Sequence, residues 1–129
     1  MSQKIEMVVT DLDGTLLNDN QQTHQKDLQT LVWLEKQGIL RVVATGRNLY
    51  SALKVLHADY PIDYLIFSSG AGIYDWKHQH LIHSDYLPRQ QVERISQLLI
   101  GYNIDFMIHE VIPDTHKFVY FRGTQPNPD

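Results

Sequence analysis

Apolar residues in the first half of the chain gather in short unbroken runs. Met7-Val8-Val9-Thr10 is the first, Leu40-Arg41-Val42-Val43-Ala44 the second and Tyr64-Leu65-Ile66-Phe67 the third. Unbroken runs of this length read as strands covered on both faces, the pattern of a parallel sheet. Between the first two runs, a polar stretch from Asn18 to Gln25 leads into Leu28, Leu31, Val32 and Leu34, a rough helical stripe. Thr23 is placed to cap that helix, and Gly38 to close it as a C′ glycine. Between the second and third runs, Leu49, Ala52, Leu53 and Leu56 fall at i, i+3, i+4 and i+7, one face of a helix. The predicted order is β-α-β-α-β, which closes into a Rossmann-like α/β parallel sheet through right-handed crossovers.

After Phe67 the rhythm changes. Ser68–Gly72 reads as a loop, and Ile73-Tyr74 and Leu81-Ile82 as a hairpin around Trp76–His80. Pro88 suits the first turn of a helix carrying Val92, Ile95, Leu99 and Tyr102. Phe106–Ile108 and Phe118–Phe121 are two further strands, followed by a polar, proline-rich end from Thr124 to Asp129. The shift from alternation to α-β-β predicts a second, α+β unit from about residue 85. Trp33 and Trp76 read as packing residues, and Tyr102, Phe106, Phe118 and Tyr120 as the core of the second unit.

Composition narrows the function. A chain of 129 residues, 43% hydrophobic and 20% charged, is a soluble globular type. The net charge of −4, with no Lys/Arg run, argues against nucleic acid as a main partner. No apolar stretch reaches the roughly 18–20 residues of a membrane helix. The first six residues hold no apolar signal core, and there are no cysteines, so a cytoplasmic setting is expected. His78, His80 and His83 form the densest histidine set; exposed turn residues are the simpler reading than zinc, since His83 falls on the other face of a hairpin.

Three polar clusters fall just beyond the three parallel strands, where open α/β sheets bind ligands. These are Asp11-Leu12-Asp13-Gly14-Thr15, Thr45-Gly46-Arg47 and Ser68-Ser69-Gly70-Ala71-Gly72. Asp11 and Asp13, at i and i+2 of an extended segment, would face one site. Their mutual repulsion would be relieved by a hard cation such as magnesium, which takes oxygen ligands. One carboxylate can attack phosphorus and the other can move the proton. Gly14 permits a sharp turn whose N–H groups can cradle phosphoryl oxygens. A plain Asp-Gly turn explains the first cluster alone, but not its match to the other two. Thr45 and Gly46 offer a hydroxyl and an open amide to a phosphate. Arg47 could bind phosphate or cap acidic neighbours.

Val8–Leu17 resembles the first motif of the haloacid dehalogenase superfamily, Ala44–Arg47 resembles its second, and Ser68–Asp75 is similar to the loop and hairpin of its Cof-type (IIB) sugar-phosphatase branch. That resemblance implies Asp11 as nucleophile and Mg²⁺ ligand. It implies Asp13 as general acid/base, giving the metal its backbone carbonyl. Leu12, Thr45 and Gly46 would contact the phosphoryl group, and Arg47, Ser69 and Gly70 the substrate, a small phosphorylated metabolite. It further implies residues 1–84 as a partial core and 85–129 as the beginning of a cap. Ser69 stands where the family usually has Asn. The family's third motif, a lysine, and its fourth, a Gly-Asp segment, are not found in the chain. The chain is therefore expected to be the N-terminal part of a longer enzyme, inactive alone, with strand one an apolar edge open to self-association. Two other readings use the same elements. One is a response-regulator-like phosphoacceptor domain, which would place its acceptor Asp after strand three. The other is a noncatalytic remnant of the fold.

Overall fold

The computed structural model describes residues 4–124, so the proline-rich end at 125–129 lies outside the described residues. The chain divides into two compact units, Met1–Ser84 and Asp85–Asp129. In the first, β1 (Met7–Asp11), α1 (Gln25–Lys36), β2 (Leu40–Ala44), α2 (Leu49–Ala52), β3 (Tyr64–Phe67), β4 (Gly72–Asp75) and β5 (His80–Ser84) follow in order. The sheet runs β1-β2-β3-β4-β5, with β1, β2 and β3 parallel and β4 and β5 antiparallel to their neighbours. The hairpin after β3 breaks the alternation that a receiver domain would continue.

The core lies against β2 and β3. Val42, Val43, Leu65 and Phe67 are buried in the strands, Leu31 and Leu34 cover them from α1, and Trp76 is buried at the hairpin. Gly38 closes α1 with a φ of 71°, and the Ile39 N–H reaches back to the Leu34 carbonyl. Gly72 is required where β4 starts, because a Cβ there would overlap the Phe67 ring.

Several expectations are corrected. Thr23 does not cap α1: the N-cap is His24, without a side-chain bond, and the Thr23 hydroxyl pairs with the Tyr60 hydroxyl at 2.6 Å. α2 is a single turn rather than a helix to Leu56, because the Lys54 and Val55 N–H groups donate i→i−3, to the Ser51 and Ala52 carbonyls, before Leu56 returns to the Ala52 carbonyl. Leu49, Ala52 and Leu56 are buried all the same, while Leu53 is exposed, so the spacing reported burial and overstated helix length. β1 is not covered on both faces: it is the sheet's first strand, and Met7 and Val9 are about half exposed. Trp33 is exposed, not packed.

The second unit holds α3 (Arg89–Gly101), with Pro88 at its N-cap rather than inside its first turn, and an antiparallel pair, β6 (Phe106–His109) and β7 (Phe118–Phe121). Its expected core is also corrected. Phe106 stacks on Phe121 at 5.4 Å, whereas Tyr102, Phe118 and Tyr120 are exposed. The register decides this: Phe106 lies opposite Phe121, and Tyr120 falls on the other face opposite Met107.

A charged cluster absent from the expectations ties the first unit together. Arg41 interrupts an apolar strand and is 1% exposed. Its guanidinium donates to both Asp63 oxygens at 3.0 Å and to Glu35 at 3.1 Å, and its backbone N–H donates to Asp63 at 2.8 Å. Lys77, from the hairpin turn, adds contacts of 2.9 Å to Asp63 and 3.2 Å to Glu35. Helix α1, the sheet and the hairpin therefore meet at one ion network.

Candidate active site at the strand ends

β1 delivers Asp11 at its last position, opposite Ala44 in β2, so Asp11 stands one residue from the level of Thr45. The following loop is built from its apolar residues. Leu12, Leu16 and Leu17 are buried, the Leu17 N–H donates to the Leu12 carbonyl at 2.8 Å, and the Gly14 N–H donates to the Leu17 carbonyl at 3.0 Å. Gly14 takes a φ of 72°, a conformation that favours glycine. The two bonds make a parallel bridge between Asp13 and Leu17 using groups that flank Asp13, so the Asp13 carbonyl stands outside the pairing. Because the Leu12 side chain is core, only its backbone can face a phosphate.

Thr45 is 6% exposed. Its N–H continues the ladder to the Ile66 carbonyl at 2.9 Å, and its hydroxyl accepts from the Arg47 N–H at 3.1 Å. Two backbone bonds lace this loop to the next: Ser68 N–H to the Arg47 carbonyl at 2.8 Å, and Ser69 N–H to the Thr45 carbonyl at 3.2 Å. Ser68, Ser69 and Gly70 all have positive φ, at 48°, 54° and 98°. Two consecutive non-glycine residues in this region carry backbone strain, which persists where surrounding structure holds it. A Cβ at Gly46 would come 3.6 Å from the Ser69 Oγ, so Ser69 bounds the space over the Gly46 backbone.

Arg47 faces Asp13. Its Nε donates to one carboxylate oxygen at 2.8 Å and a terminal nitrogen to the other at 2.7 Å, a bidentate pair. Its remaining terminal nitrogen donates to the Ser51 hydroxyl at 3.2 Å. Hydrogen bonding from Arg47 holds the Asp13 carboxyl below its usual range, and the same bond raises Arg47. In this structure Arg47 caps its acidic neighbour Asp13. Ser51 was missed by sequence reasoning; its position four residues after Arg47, beside the α2 N-cap Asn48, was the available signal.

The donor set suits magnesium in kind. Among the described residues no three His, Cys, Asp or Glu side chains group as a cation site. The oxygens on offer are the Asp11 carboxylate and the outward carbonyl of Asp13. Magnesium accepts few protein ligands and fills its shell with water and substrate phosphate. His78 does not join a ligand group: its ring meets Asp75 at 2.9 Å, and its N–H is bonded to the same carboxylate.

A parallel sheet that presents these three loops at the ends of β1, β2 and β3 is the architecture of the haloacid dehalogenase-like hydrolases. The chain belongs to that family, whose pattern matches residues 8–123. A putative phosphatase of Mycoplasma pneumoniae is 32% identical over 112 residues, which cover 84% of this chain and 39% of that protein. An HMP-PP phosphatase of Shigella flexneri is 33% identical over 89 residues, 69% of this chain and 32% of that protein. A phosphatase of the HAD enzyme superfamily from Bacteroides thetaiotaomicron shares the fold, with a TM-score of 0.74 at 23% identity over 96% of this chain and 43% of that one. The chain thus spans about two-fifths of the length of the first of these relatives. No helix among the described residues is long and apolar enough to cross a membrane.

Proposed function

We propose that this chain carries the nucleophile-bearing part of a magnesium-dependent phosphohydrolase for small phosphorylated metabolites of the sugar-phosphate kind. The observation that supports this reading is the register that sets Asp11 opposite Ala44, one residue before Thr45 and two before Gly46. An Asp11 oxygen attacks phosphorus, the bond to the leaving oxygen breaks, and an aspartyl-phosphate forms. The Thr45 hydroxyl and the Leu12 and Gly46 backbones orient the phosphoryl oxygens. Asp13 is the proton carrier: the leaving oxygen takes a proton from it, and water attacking the acyl-phosphate returns one. The Arg47 pair favours the ionised, proton-accepting form of Asp13, so this pair loosens when Asp13 is to donate. The Asp11 carboxylate and the Asp13 carbonyl would hold Mg²⁺, which would supply charge neutralisation there.

In this reading residues 1–84 are part of the catalytic core and 85–129 the beginning of a cap, and Arg47, Ser69 and Gly70 contact substrate. The setting is cytoplasmic. The lysine and the further acidic segment of the family are not in this sequence, so the 129-residue chain alone turns over little substrate. The test is calorimetric titration of inorganic phosphate with and without Mg²⁺. Phosphate binding that requires Mg²⁺ and is lost in Asp11→Asn supports the proposal. Binding indifferent to Mg²⁺ or to Asp11→Asn refutes it, and no binding at all favours a noncatalytic remnant.

A further inference from the structure

The Arg47 guanidinium is held on two sides, and the second hold lies outside the strand-end clusters. Its Nε and one terminal nitrogen grip the two Asp13 oxygens at 2.8 and 2.7 Å. The other terminal nitrogen donates to the Ser51 hydroxyl at 3.2 Å and lies 3.5 Å from the Ser51 carbonyl. Ser51 is itself seated: its N–H donates to Asn48 Oδ1 at 2.8 Å, the side-chain cap at the start of α2. Its hydroxyl departs from the use that helices ordinarily make of one. Thr30 in α1 and Ser96 in α3 turn their hydroxyls back to the carbonyls four residues earlier, at 2.8 and 2.7 Å. The carbonyl four residues before Ser51, that of Arg47, accepts from the Ser68 N–H at 2.8 Å, and the Ser51 oxygen meets the Arg47 side chain instead.

We propose that Ser51, seated by Asn48, is a positioning residue: it anchors the Arg47 guanidinium so that Arg47 holds the Asp13 carboxylate in one orientation. Asp13 needs such a hold. Its side chain is 50% exposed and that of Arg47 20%, and an ion pair this open to water is weak by itself. A planar fork fixed on two sides neither turns about its long axis nor swings away, so both Asp13 oxygens are kept in place. The catalytic meaning rests on the phosphohydrolase reading, in which Asp13 carries the proton; the positioning itself does not. In that reading a carboxylate already oriented loses less freedom when the leaving oxygen approaches. When the pair loosens as Asp13 gives up its proton, Ser51 keeps the guanidinium within reach. The pair then re-forms for the step in which Asp13 takes a proton from water.

The test is heteronuclear NMR of the arginine side chains in the full chain, without Mg²⁺ or phosphate. The Arg47 Nε–H signal is assigned by its loss in Arg47→Lys. Its exchange with water should be at least about tenfold slower than that of Arg89, whose Nε meets Glu93 at 2.8 Å on a side chain 91% exposed. Ser51→Ala should remove about tenfold of that protection, the effect of one hydrogen bond to a charged group. Ser51→Thr keeps the hydroxyl and should retain the protection. Backbone amide spectra report the fold of each variant separately, and the wild-type comparison with Arg89 and the Ser51→Thr rescue decide the matter even where Ser51→Ala does not fold. The calorimetric titration with Asp11→Asn tests the phosphohydrolase reading by a separate route, so either can fail while the other stands. Arg47 exchange as fast as that of Arg89 in wild type, protection unchanged in Ser51→Ala, or protection lost in a folded Ser51→Thr overturns the proposal.

Discussion

Replacing Asp63 by Asn tests what holds the first unit together. The Asp63 carboxylate accepts from the Arg41 backbone, from the Arg41 guanidinium at both oxygens, and from Lys77. Burial alone would raise its pKa, but these bonds outweigh it and hold Asp63 at about 2, against an ordinary 3.8. A depression of that size corresponds to about 2.5 kcal/mol at roughly 1.4 kcal/mol per unit. The side chains of Arg41 and Asp63 are only 1% and 8% exposed, so solvent screening of this pair is small, whereas Lys77, at 50%, adds little. Asp63→Asn keeps the shape but leaves a buried guanidinium short of its counter-charge, a change that typically costs about 3–5 kcal/mol. With one acceptor retained, a loss of about 3 kcal/mol is expected. Urea unfolding followed by tryptophan fluorescence reads it directly, because buried Trp76 donates its backbone N–H to the Asp63 carbonyl at 2.9 Å while Trp33 is already exposed. The sign with pH follows from a lowered carboxyl: the contribution is complete above about pH 4 and is lost as pH falls toward 2. The difference between wild type and Asp63→Asn should therefore shrink over that interval. A cost below about 1 kcal/mol at neutral pH, or a difference unchanged down to pH 2, would show that the network is not what joins α1, sheet and hairpin.

Two further outcomes follow from the geometry. Gly72→Ala forces a Cβ into the ring of fully buried Phe67 and should cost about 1–3 kcal/mol in the same unfolding assay, while Gly101→Ala, which meets nothing within 4 Å, should not destabilise. With p-nitrophenyl phosphate and Mg²⁺, the 129-residue chain should turn over at least about 10²–10³ more slowly than a family enzyme holding the charge-neutralising lysine, and brisk turnover abolished by Asp11→Asn would contradict this.

The strands were legible because apolar runs bounded by polar clusters have few other uses, and each of the seven strands among the described residues falls on a run or hairpin segment read from the sequence. What failed depended on neighbours that lie far off in sequence. The run Met7–Thr10 taken alone reads as covered on both faces; an edge was expected there only from the motifs that the family resemblance implies and this sequence lacks. Leu49 and Leu56 are both buried, yet a tightened turn serves that spacing as well as a helix does. The roles of Phe118 and Tyr120 hung on a pairing register that composition cannot supply. In the candidate site, Asp11, Asp13, Thr45 and Gly46 could be singled out because their residue types and strand-end positions coincide. The Arg47–Asp13 pair spans 34 positions and Arg41–Asp63 spans 22, and partner choice at such separations is decided by the fold. The one hint was Arg41 itself, a charge within an apolar strand.

The central claim is that Asp11 is the phosphoryl-accepting group and that Mg²⁺ assists it. Beryllofluoride bonds to a carboxylate as a phosphoryl mimic, and fluorine NMR resolves the bound species. The most direct measurement adds beryllofluoride to the chain with Mg²⁺, without Mg²⁺, and to Asp11→Asn. The expected result is a bound fluorine signal that appears only with Mg²⁺ and only when Asp11 is present. A signal that persists in Asp11→Asn, or that forms equally well without Mg²⁺, would contradict the assignment.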